Sequence, residues 1–169
     1  MNARRLARDL LEEFAQTRGP LMRNPAWAVM RAVALAMVAQ IARGSRNANL
    51  RVMAATTLGV HTRAAPSKRA ASKKDWATAS ALFADVVRLA VTPATEQTKR
   101  EALVELLGRH ERDEETDDFG HYLNWLPTAS IFLALLDGPA PLQLQAARWI
   151  LSRSRALAER VGYGKPTIP

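Results

Sequence analysis

The 169-residue chain contains no cysteine, which excludes disulfides and thiolate metal ligands. That suits a reducing compartment, and a cytoplasmic location is the expectation. A second absence is of acid. From Phe14 to Lys74 there is no Asp or Glu, against eleven Lys or Arg. Residues 1–13 are neutral in sum, and residues 75–169 hold ten bases against thirteen acids. The net charge of +8 therefore arises from one continuous segment, and such asymmetry points to a polyanionic partner.

Catalytic motifs are also missing. The eight glycines form neither GxGxxG nor GxxxxGK[ST], so no phosphate-cradling loop is expected. There is no GxSxG elbow, and without cysteine no Cys–His pair can form. His110, Glu111, Asp113, Glu114, Asp117, Asp118 and His121 lie close in sequence. No HExxH or similar spacing sets two of them on one helical face, and a self-repelling acidic run reads as a solvated segment. The expectation is a non-catalytic protein with no metal and no cofactor.

Membrane and export signals are lacking by the same reading. MNARRLARDLLEEF places acids where a secretion signal needs an apolar core. AWAVMRAVALAMVAQIA (26–42) carries Arg31 and Gln40 and is rich in alanine. It is read as falling short of the roughly 20 strongly apolar residues of a membrane span, so a buried helix and no membrane partner are expected.

What is present is helical. Hydrophobic residues make up 48% of the chain, enough for a folded core at this length. Leu6, Leu10, Leu11 and Phe14 share a face over 2–16, and Arg18-Gly19-Pro20 ends that helix. Asn24-Pro25 opens a second helix to about Arg43, apolar nearly all round, as central helices are. Gly44-Ser45 turns the chain into a helix near 47–58. Ser72 with Asp75 resembles a capping box for a helix from Lys73 to about Val91. Further helices are expected over 95–110, over 122–136 with an interruption at Pro127, and over 142–161 with Gly162 as C-cap. No segment alternates as a strand does. The fold expected is an all-α compact bundle of six to eight helices in a single domain (1–169), with a mobile basic loop around 59–74 and a possible subdomain junction there.

Trp27, Trp76 and Trp149 each sit in an apolar helical stripe and are read as core, although tryptophans can serve as stacking platforms for bases. Trp125, in HYLNWLP, falls outside so clear a stripe.

The basic segment carries the functional reading. Arg43, Arg46 and Arg51 flank a helix–helix turn. Arg63, Lys68, Arg69, Lys73 and Lys74 follow in HTRAAPSKRAASKK (61–74), where the small neighbours cannot anchor a loop in a core. A merely solubilising linker ordinarily mixes both signs of charge. On the last helix Arg148 and Arg155 are seven apart, as are Arg153 and Arg160, so each pair lies on one side. No recognition-helix, zinc-finger or aromatic RNA-binding signature is present. The expected ligand is RNA or single-stranded DNA, held through its phosphates without regard to sequence. The alternative is a protein-interaction adaptor whose basic segment docks on an acidic partner. The acidic run suggests head-to-tail self-association through Asp113, Glu114, Glu115, Asp117 and Asp118.

A small, basic, cysteine-free helical bundle with a cationic loop and no catalytic motif resembles the small subunit of class 1 CRISPR effector complexes. Arg43, Arg46, Arg51, the 61–74 stretch and the ending AARWILSRSRALAERV (146–161) carry the resemblance. It covers the whole chain in size, helicity and charge. It implies a non-catalytic protein stacked in several copies along larger subunits, lining the groove that holds guide RNA and target strand. The acidic run departs from that pattern.

Overall fold

A helix that is apolar on every side has to be enclosed by others, and residues 26–42 have that character. In the computed structural model, which describes residues 25–62, 73–109 and 122–160, they form the central helix α1 (Pro25–Gly44). Trp27, Met30, Leu35, Val38 and Ile41 of α1 are all buried. Around it, among the described residues, lie α2 (Ala48–Thr62), α3 (Lys73–Val91), α4 (Glu96–Gly108), α5 (Tyr122–Asp137) and α6 (Ala140–Arg160). The central helix packs chiefly on α2, α3 and α6, while α4 against α5 and α5 against α6 close the opposite side. One continuous core joins Met30 and Leu35 to Leu82, Leu103, Phe132 and Ile150. The described part of the chain is an all-α bundle without strands.

Local chemistry explains the boundaries. Asn47 Oδ1 accepts from the backbone N–H groups of Asn49 (2.9 Å) and Leu50 (3.2 Å), capping α2. Thr95 does the same for α4, its hydroxyl accepting from Thr98 N at 3.2 Å. Gly138 lets α5 turn into α6: its N–H donates to Ala134 O at 2.8 Å, and a Cβ there would stand 2.5 Å from that same oxygen. Lys99, with a side chain only 13% exposed, ties three helices together. Its Nζ donates to Ala90 O at 3.0 Å and pairs with Asp137 at 3.6 Å.

Several expectations need correction. The basic loop is shorter than 59–74, because 59–62 complete α2 and Lys73 and Lys74 open α3; 63–72 lie outside the described residues. Helix α5 runs unbroken through Pro127. The proline forfeits one backbone bond, and burial of Phe132 and Leu135 holds the helix in place. Trp149 is not core, since it is 40% exposed. Its position explains this: Leu144, Ala147, Leu151 and Ser154 form the buried arc of α6, and Trp149 stands beyond its edge. The stretch Ala26–Gly44 is long and apolar enough to cross a membrane, contrary to the sequence reading, but 78% of it is buried inside the fold, as in a core helix. The expected helix over 2–16 and the tail after Arg160 fall outside the described residues, as do the side chains of Trp76 and Trp125.

Candidate nucleic-acid interface

The fold sorts charge by layer. Helices α1, α2 and α6, with the turn between α1 and α2, carry eight arginines and one carboxylate, Glu159. Helices α3, α4 and α5 carry five basic residues against six acidic ones. Within this second group or directly beside it, acids and bases pair: Arg88–Asp85 at 3.3 Å, Arg100–Glu96 and Arg109–Glu105 at 3.5 Å, and Lys99–Asp137. One side of the bundle is thus electrostatically mixed and the other is dominated by arginine.

The described residues expected to contact a polyanion are spread over several elements. Arg43 and Arg46 are exposed at the α1–α2 turn. Arg51, beside them, is partly buried, and its Nη1 donates to Ser45 O at 2.6 Å, so it braces the turn. Lys73 and Lys74 are exposed at the start of α3. Helix α2 spans 15 residues, about 22 Å at 1.5 Å per residue, so the α1–α2 turn and the chain leaving Thr62 lie at its opposite ends. Arg63, Lys68 and Arg69 are outside the described residues, as are Asp113, Glu114, Glu115, Asp117 and Asp118. Arg153 is partly buried on α6; Arg160 is the last residue of that helix, and its side chain is not described.

Between the two ends, α6 runs beside α2. Arg148 Nε donates to Thr57 Oγ1 at 3.0 Å, and one further turn along α2 the positive charge of Arg155 reaches His61. Arg31 of α1 meets the same place, its Nη2 donating to His61 O at 3.3 Å. Arg31 thereby caps the carbonyl end of α2, where a cation is favoured. Burial pulls the Arg31 pKa below the ordinary arginine value, yet a guanidinium keeps its proton in proteins. The buried His61 imidazole is held below its ordinary pKa, first by desolvation and then by the charges of Arg31 and Arg155. The Arg31–His61–Arg155 junction escaped sequence reading because Arg31 and His61 are thirty positions apart. The one available signal was an arginine inside an otherwise apolar helix.

Two exposed apolar features border this layer. Helix α2 buries only Ala54, Thr57 and His61 and leaves Val52 (65% exposed), Met53 and Val60 to solvent. On α6, Trp149 leans on the buried Trp27 with ring centroids 6.3 Å apart and planes tilted by 34°, within the range of favourable aromatic pairs.

Compared with known proteins, the chain matches no family model, no curated protein and no solved structure.

Proposed function

We propose that this chain is a non-catalytic, sequence-tolerant nucleic-acid-binding structural subunit of a ribonucleoprotein complex. The observation that carries the reading is the segregation of arginine onto α1, α2 and α6, eight against one carboxylate. A protein that needs charge only for solubility mixes its signs, as α3, α4 and α5 do here. Binding through this layer neutralises phosphates, releases counterions and weakens steeply with salt. The proposed contacts are Arg43 and Arg46, exposed at the α1–α2 turn, Lys73 and Lys74, exposed at the start of α3, and the other bases of the 61–74 sequence. Larger protein subunits complete the complex, and the proposed place of the chain in it resembles that of the small subunit in class 1 CRISPR effectors.

The test is fluorescence anisotropy with random-sequence RNA and DNA single strands across a salt series. Wild type is compared with a variant carrying Arg63, Lys68, Arg69, Lys73 and Lys74 all changed to Ser. The reading expects weaker binding and a shallower salt slope in the variant. Failure of wild type to bind either strand at low salt would sink it.

One observation favours a second reading. Val52, Met53 and Val60 give α2 an exposed apolar side amid basic residues, as suits an adaptor docking on an acidic protein partner. That reading predicts a stable protein complex and poor binding to RNA and DNA.

A further inference from the structure

The exposed arc of α6 holds one large aromatic ring, Trp149, with Leu142 two turns before it and small or polar side chains around the ring. Gln145, Trp149, Ser152 and Ala156 follow one another at spacings of three and four residues, and all four are exposed. Arg153 stands one turn beyond Trp149 on the same side of the helix, and no carboxylate occurs on α6 before Glu159. We propose that Trp149 is a stacking platform for an unpaired base, so that the nucleic acid held by this chain is single-stranded along α6.

Four features fit that role. The indole is backed by Trp27, itself buried, so the ring is held in place before any ligand arrives, which limits the entropy lost on binding. A platform has to leave ring surface open, and Trp149 is 40% exposed where Trp27 is buried. Ser152 and Ala156 on one side of the ring are short, which leaves room for a flat base, and Gln145 and Ser152 offer hydrogen-bonding groups without imposing a sequence. Cations lie along the same helix for the phosphates, and the pairing of a basic track with an aromatic platform is how single strands are held without sequence preference. A protein partner would be expected to meet a wider apolar surface than Trp149 and, two turns before it, Leu142. Duplex DNA or RNA keeps its bases stacked on one another and offers no ring to Trp149.

The proposal rests on the nucleic-acid reading above, and the experiment separates the two. Anisotropy is measured for the full chain and for Trp149→Leu and Trp149→Phe, using a fluorescein-labelled oligo-uridine strand and the same strand annealed to oligo-adenosine. The expected result is about a ten-fold loss of single-strand affinity in W149L with an unchanged salt slope, largely restored in W149F, and no change on the duplex. Equal single-strand affinity in W149L and wild type overturns the stacking role while leaving the charge-based reading intact. An equal loss on single strand and duplex overturns it too. Wild type that binds neither probe removes both. Should W149L fail to fold, photo-crosslinking of wild type to a 5-iodouridine strand decides: the crosslinked peptide should contain Trp149, and a crosslink map that omits it overturns the proposal.

Discussion

Arg148 of α6 donates from Nε to the Thr57 hydroxyl of α2 at 3.0 Å, and that hydroxyl in turn donates to Met53 O at 2.8 Å. The relay fixes the two arginine-bearing helices against each other. Thr57 is buried, so Thr57→Val keeps the shape and removes the acceptor, leaving a partly buried guanidinium short of one bond. The expected cost is about 1–2 kcal/mol. Urea denaturation should show a lower midpoint with an unchanged slope. An unshifted midpoint would mean that the relay makes no net contribution.

The arginines at the α1–α2 turn divide by role. Arg43 and Arg46 are exposed, whereas Arg51 spends a donor on Ser45 O. Changing Arg43 or Arg46 to Ser should leave the melting temperature alone and lower the slope of log affinity against log salt by about 0.7 each for a single strand. Arg51→Ser should lower the melting temperature. The same melting loss in all three variants would contradict the division.

How much of this was legible beforehand depends on whether a feature is local. The central placement of α1 followed from an apolar surface on every side, and α4 (Glu96–Gly108) falls within the helix expected over 95–110. Pro127 misled because a proline weighs heavily in a local reading, while the burial of Phe132 and Leu135 that offsets it is tertiary. Trp149 misled for a related reason: a position at the margin of a helical stripe is core or surface according to what packs there, and Trp27 covers only one side. The junction of Arg31 with His61 depends on how α1 and α2 cross, which no spacing within either helix encodes.

Gly138 is required by space. A methyl group there would press on Ala134 O at 2.5 Å and on Leu142 Cδ2 at 3.3 Å, and the backbone oxygen cannot swing aside without loosening the end of α5. Gly138→Ala should therefore destabilise the fold by about 1–3 kcal/mol. By contrast Gly59→Ala, where nothing lies within 4 Å, should stabilise α2 by about 0.5–1 kcal/mol. Thermal melts of the two variants should move in opposite directions.

His61 makes stability depend on pH. In the unfolded chain an imidazole takes up its proton below about pH 6.5; in the fold, burial and the charges of Arg31 and Arg155 hold it neutral to lower pH. Between those two values the unfolded state binds more protons, so stability rises with pH there. The contribution of His61 is complete above about pH 6.5 and is lost as pH falls through the lowered folded value. Denaturation midpoints of wild type should thus decline from pH 7 towards pH 5 more steeply than those of His61→Gln, which has no proton to gain. Parallel declines in the two proteins would place the pH dependence elsewhere, and a shallower decline in wild type would contradict the direction of the shift.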